Sequence, residues 1–302
     1  MALNIKTQDE VLRCGLKHMN YSQEQQQRVK RCEKIRRFRK LFGCQPSHIA
    51  VGWSELQTTA IDTARLSPSD RTDKHFDMLL MFFYFIKGYG VEEDASSRFS
   101  IHPQTMRKWV KFYATKFAEL LPEKVIWPED NEWDTTFIIS VDCVNFGVNE
   151  PRHPTLHKDR KMFDRKNGKA GITYEIALHL WENRVVWFNG GFPPNDGGDR
   201  AIYLEKGLND KIPPGKKVIA DKIYTGLANI VRHNSLDCNE VRQFKGRARA
   251  RMETINSRLK SFGILRNRFR HPGGIPTHQV FARAVMVIVV IGMENGSPLF
   301  SV

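Results

Sequence analysis

Lys169 to Gly191 reads KAGITYEIALHLWENRVVWFNGG, and the fold class turns on it. Ile172 to Leu180 is a β-rich run, and Val185 to Asn189 is a second, with Glu182 and Asn183 as the turn between them. Towards the N-terminus, Phe137 to Val141 (FIISV) is a third such run, and it ends at Asp142. Towards the C-terminus, Gly190 to Asp199 (GGFPPNDGGD) reads as a loop and AIYLEKGL after it carries helix signals. Lys216 to Ala220 (KKVIA) is a fourth strand, ending at Asp221. Arg249 to Phe262 reads as a helix with Met252, Ile255, Leu259 and Phe262 on one apolar face. The order of strands, helix, strand and helix makes the class mixed α/β.

Two of these strands end on an aspartate, and α/β sheets carry their chemistry at strand ends. Glu253 is the third acid of interest. From Arg242 to Arg270 the chain holds ten Lys and Arg residues and Glu253 as its one acid. Two readings apply to Glu253. It can pair with Arg249 four positions away, an ordinary surface contribution of about 0.3 to 0.5 kcal/mol. It can also serve as a hard-metal ligand beside a phosphate backbone, sharing a helix face with Asn256 and Lys260. If Asp142, Asp221 and Glu253 act together, only the tertiary fold brings them to one place. The expected geometry has Asp142 and Asp221 ending adjacent strands and Glu253 on a helix packed beside them.

The ordered set resembles the DDE-superfamily transposases and transposase-derived nucleases of the PIF/Harbinger type. The likeness rests on SVDCVNFGVNEPRHP around Asp142, KAGITYEIALHLWENRVVWFNGGFPPNDGGDRAIY, IADKIYTG around Asp221 and RARARMETINSRLKSFGILRNRF around Glu253. It implies an RNase H-like catalytic domain in which Asp142, Asp221 and Glu253 are the catalytic and metal-binding acids. Asp199 matches a further acid of the family and reads as a helix N-cap first and an accessory acid second. Two positions depart from the family pattern: Ile223 precedes Tyr224 where a Gly is common, and Gly198 stands where a His is usual. The implied cofactor is Mg²⁺, with Mn²⁺ able to substitute, because three carboxylates suit an oxygen-seeking dication. Lys245, Arg249, Arg251 and Lys260 are expected to offset phosphate charge near the ions. The resemblance also allows a separate DNA-binding protein as partner, and a homo-oligomer is expected.

Ahead of this region, Val91 to Tyr113 (VEEDASSRFSIHPQTMRKWVKFY) spaces Ala95, Phe99, Ile101, Met106, Trp109 and Val110 as a helix-turn-helix core would. Ser100 and Ile101 make the turn, and Pro103 sits in the first turn of the second helix, where its missing N–H costs little. Gln104, Thr105, Arg107 and Lys108 then face outward as DNA contacts. A plain helical hairpin within a bundle is the competing reading. His75 to Lys87 (HFDMLLMFFYFIK) is apolar nearly all round and suits a buried helix.

The expected organisation is a basic polar segment over 1–70, helical in pieces, and a helix-turn-helix region over 71–125. A linker over 126–135 and a catalytic domain over 136–302 follow. The run Arg28 to Lys40 carries eight cations against Glu33 alone. A solvated helix face, phosphate contact and nuclear import are all consistent with it. The whole chain has 47 Lys and Arg against 33 Asp and Glu, a formal charge of +14. That balance favours a polyanion, with DNA ahead of an anionic membrane.

The longest apolar run, Ala284 to Met293, is too short to span a bilayer and reads as core. The N-terminal residues lack the apolar stretch of a secretory signal, so an intracellular protein is expected, nuclear if eukaryotic. Five scattered cysteines support neither a zinc site nor a disulfide framework. His153 and His157 read as loop histidines. Three functions compete: an active transposase or endonuclease, a non-catalytic DNA-binding protein retaining the fold, and an RNase H-like nuclease acting on RNA.

Overall fold

The structure is a computed structural model. It describes residues 6–19, 28–58, 73–149, 160–195, 197–224, 226–231, 237–270 and 273–302. His153 and His157 lie outside the described residues.

The chain forms two compact units. The first comprises 1–121, 261–264 and 280–296, and the second 122–260, 265–279 and 297–302. The sequence reading instead ran one domain unbroken from 136 to 302. Along the chain the helices begin with α1 (Gln8–Lys17), α2 (Arg31–Phe42), α3 (Pro46–Thr58), α4 (Asp73–Gly88), α5 (Glu92–Arg98), α6 (Pro103–Glu119) and α7 (Leu121–Lys124). The strands β1 (Phe137–Gly147), β2 (Phe163–Asp164), β3 (Lys169–His179) and β4 (Val185–Phe192) follow. Then come α8 (Gly198–Glu205), β5 (Lys217–Ile219), β6 (Ile230–Val231), α9 (Asn239–Lys260), α10 (Gly263–Arg266) and α11 (Gly274–Glu294).

In the helical unit, α4 buries Phe76, Leu79, Leu80, Met81, Phe82, Phe83 and Ile86, as a helix apolar on every side must. Phe82 stacks on Phe117 of α6 with ring centroids 5.7 Å apart, and Tyr113 Oη donates to the His75 carbonyl at 2.8 Å. The turn from α5 to α6 has Ser100 at φ 53. His102 caps α6 by accepting from the Gln104 N–H, with Pro103 at the first helical position. By length and composition α11 is apolar enough to cross a bilayer. The ten-residue run understated it, because the helix begins ten residues earlier, at Gly274. Its residues Phe281, Val285, Met286 and Val287 are buried, as in a core helix.

The second unit is built on a mixed sheet. Its path runs β2, β3, β1, β5, β6, with β4 paired to β3. β1 is antiparallel to β3 and parallel to β5, which is parallel to β6. This arrangement is consistent with the RNase H-like domain implied by the resemblance. Successive strand residues point to opposite faces, and β5 makes the point. Val218 packs in a cluster with Tyr203 of α8, whereas Ile219 packs with Ala248 of α9. The two helices therefore cover opposite faces of the sheet.

Strand and helix limits differ from the sequence reading in two places that matter. β1 does not end at Asp142. It continues to Gly147, because β3 pairs with it residue by residue from Ile139 to Gly147, and backbone hydrogen bonds tolerate a carboxylate side chain. The α9 helix starts at Asn239, ten residues before Arg249, since the basic stretch is helix-compatible throughout.

Candidate active site

Asp142 sits mid-strand on β1, opposite Ile176 of β3. Ser140 of β1 pairs with Ile219 of β5, so Asp142 and Asp221 each lie two residues beyond that pair on neighbouring parallel segments. Such neighbours run about 4.8 Å apart. Asn256, from α9, donates Nδ2 to Asp142 Oδ2 at 2.9 Å. The Asp142 carboxyl is pushed up to about 6 by burial and then by the charge of Asp199. The Cys143 N–H and the Asn256 amide pull it down, and the charge of Asp221 raises it further.

Cys143, next along the strand, points to the other face, where Tyr224 Oη donates to its Sγ at 3.5 Å. Its thiol hydrogen-bonds Asp199, whose carboxyl is nonetheless raised by burial and by Asp164 and Asp221. Asp199 is not the N-cap of α8: Gly197 holds that place, and Asp199 lies in the first turn. Gly198 has φ +71, a left-handed conformation that favours glycine.

Glu175 was missed by the sequence reading. It lies on β3 directly opposite Cys143, with 0% of its surface exposed. Trp187 Nε1 donates to its Oε2 at 2.9 Å, while Oε1 is buried with no hydrogen-bond partner. Burial pushes its carboxyl up to about 7, opposed by the Trp187 bond and reinforced by Asp199. A glutamate in an apolar-looking strand gives no signal of its own in sequence.

Glu253 is exposed on α9 and accepts from Arg249 Nε at 3.2 Å. The same guanidinium reaches Asp221 Oδ2 at 4.0 Å. Arg249 therefore stands between two of the three sequence-derived acids. Among the described residues no group of three or more His, Cys, Asp or Glu is arranged to hold a metal ion. The donor chemistry itself suits a hard dication, which would relieve the repulsion that Asp221 and Asp199 exert on Asp142.

Of the four cations expected near phosphate, two are buried. Arg251 is 3% exposed and donates to the carbonyls of Leu180 and Glu182. It braces the turn between β3 and β4 and has no reach to a ligand. Lys245 is 6% exposed and pairs with Asp237 at 2.8 Å. Residues spaced around a long helix include its packed side, and Arg251 and Lys245 fall there. Arg249 and Lys260 are exposed.

The family described as DDE superfamily endonuclease matches residues 141–292, which is half of the chain. The chain belongs to that family. No curated protein and no solved structure matches it. The match to this DDE endonuclease family begins one residue before Asp142 and takes in Asp199, Asp221 and Glu253. A nuclease of this family acts on DNA, and the family generally uses divalent metal ions.

Proposed function

We propose that the chain is a transposase or transposase-derived endonuclease of the PIF/Harbinger type, cutting DNA phosphodiester bonds at the Asp142 site. The observation that carries this reading is Asp142, held at 2.9 Å by Asn256 while the charges of Asp199 and Asp221 act on its carboxyl. Two further acids, Asp221 just beyond β5 and Asp199 of α8, would hardly be gathered around the partly buried Asp142 carboxylate for stability, since each raises the cost of the others' charge.

Asp142, Asp221 and, once released from Arg249, Glu253 would hold Mg²⁺ or Mn²⁺, with Asp199 as an accessory acid. When bound, a metal pair stabilises the attacking and leaving oxygens of an in-line displacement. The chain's own residues do the rest. Asn256 keeps Asp142 oriented, and Arg249 and Lys260 offset phosphate charge. In the helical unit Gln104, Thr105, Arg107 and Lys108 are exposed on α6, and these would contact DNA as the second helix of a helix-turn-helix. In a eukaryotic cell the protein would act in the nucleus.

Purified protein incubated with supercoiled DNA, with and without Mg²⁺ or Mn²⁺, tests the reading. Metal-dependent nicking that Asp142→Asn abolishes is the expected result. A second reading, a non-catalytic DNA-binding protein retaining the fold, is favoured by the engagement of Glu253 with Arg249. Equal inertness of wild type and variant with either metal, alongside retained DNA binding, selects it. Preferential cutting of RNA would select a ribonuclease.

A further inference from the structure

Three residues beyond Asp142 on β1, a cavity of about 160 Å³ opens. Its lining includes Asn145, Gly147, Asp164, Lys169, Lys260 and Arg266. Gly147 of β1 pairs with Gly171 of β3, and residues opposite one another in an antiparallel pair point the same way. The Lys169 side chain lies over Gly147, its ammonium 3.5 Å from where a Cβ would sit, so the glycine makes room for that side chain in the cavity wall.

The polar groups around the cavity are almost all donors. Asn145 Oδ1 accepts from Thr173 Oγ1, which leaves the Asn145 amide nitrogen to donate. Asp164 is the lining acid, and it is consumed locally. Its Oδ1 accepts from the N–H groups of Lys166 and Asn167 at 2.9 and 3.2 Å, and its Oδ2 accepts from Asn167 Nδ2. Lys169, Lys260 and Arg266 bring three cations, and among the described residues none of them forms an ion pair. Lys260 is discouraged from holding its proton by burial and by Lys166 and Lys169, and favoured in it by Asp142 and Asp164. Lys169 repels the charge of Lys260, and an anion in the cavity would relieve that repulsion.

We propose that this cavity binds one backbone phosphate of the DNA strand whose bond reacts at Asp142. The proposal rests on the nuclease reading of that site. Lys260 lines the cavity and its ammonium is favoured by the charge of Asp142, so the phosphate held here lies near the reacting bond, on a neighbouring nucleotide. Donors that grip it fix the strand's register without reading its bases.

The test uses the full chain in EDTA with duplex oligonucleotides, each carrying one neutral methylphosphonate at a different position. For wild type, one position should weaken binding roughly tenfold, the size of a lost charge-assisted contact. In Lys169→Gln/Arg266→Gln, that same position should become indifferent while the others keep their effects. The slope of log affinity against log salt should be shallower by about 0.9, one phosphate fewer. Both side chains are exposed, and a melting curve matching wild type confirms folding; the scan on wild type stands even if the variant fails. A wild type with no sensitive position, or a scan identical in both proteins, overturns the proposal. So does inorganic phosphate that stabilises wild type against melting while the scan is unchanged by the mutations, which marks a free-anion site. Nicking with Mg²⁺ is scored in parallel. Nicking with an unaltered scan overturns the cavity alone, whereas the expected scan without nicking overturns catalysis at Asp142 alone.

Discussion

Asn256 donates its side-chain amide to Asp142 at 2.9 Å across 114 residues of sequence. The contact ties the centre of β1 to α9, and Asn256 Oδ1 is buried with no hydrogen-bond partner. Asn256→Ala should cost roughly 1 to 3 kcal/mol of stability, since it leaves the partly buried Asp142 carboxyl without that partner. It should lower metal-dependent nicking by roughly 10- to 100-fold, as loss of a group orienting a metal ligand does. Nicking at the wild-type rate with a correctly folded variant would remove Asn256 from the site.

Arg249 lies between Asp221 and Glu253, and its side chain is 64% exposed. Exposed pairs of this kind contribute about 0.3 to 0.5 kcal/mol, so Arg249→Ala should barely move the melting temperature. It should tighten Mn²⁺ binding measured by calorimetry, because Glu253 no longer has a protein cation in competition. Unchanged or weaker Mn²⁺ binding would mean that Arg249 does not occupy the acids.

The buried Glu175 should make stability fall with rising pH. Its carboxyl is raised from 4.5 to about 7, so the folded state binds the proton more tightly than the unfolded chain. That contribution is fully present below about pH 4.5 and is lost as pH rises through about 7. Glu175→Gln should make the decline shallower, leaving the share of Asp142 and Asp199, whose carboxyls are also raised, and above pH 7 it should be the more stable protein by on the order of 3 kcal/mol at most. Urea unfolding of both proteins at pH 5 and pH 8 measures this. Parallel pH dependence in the two would sink the assignment.

Arg251 and Lys108 should behave in opposite ways. Arg251→Ala strands two carbonyls, those of Leu180 and Glu182, and should cost roughly 2 to 3 kcal/mol of stability with DNA affinity per folded molecule unchanged. Lys108→Ala should leave melting unchanged and make the salt slope of DNA binding shallower by about 0.9. Weakened binding by folded Arg251→Ala would restore that residue as a DNA contact.

Arg107 was expected to contact DNA freely, but its Nε pairs with Glu92 at 2.5 Å. Glu92→Gln should therefore raise DNA affinity at low salt, with the gain disappearing as salt screens the charges. No change between low and high salt would leave α5 and α6 as a helical hairpin.

The sequence by itself determined the mixed α/β class, the two strands around the Glu182-Asn183 turn, the burial of the apolar helix near Phe82, and the exposed face of α6. Each follows from a local period: alternation in a strand, or a 3.6-residue repeat in a helix. Local pattern also located Asp142, Asp221 and Glu253 as acids in unusual settings. Only the tertiary structure decided which acids meet. Asp142 and Asp221 come together through the parallel pairing of β1 with β5. Asp199 joins them through α8, and Glu175 enters through its register opposite Cys143. None of these contacts is encoded by spacing along the chain. The same holds for the cations of α9, where helical sequence makes Arg251 and Arg249 look alike. Packing sends Arg251 into the protein to brace a turn and leaves Arg249 outside with two carboxylates, because burying a guanidinium is tolerable only where carbonyls replace the water it loses.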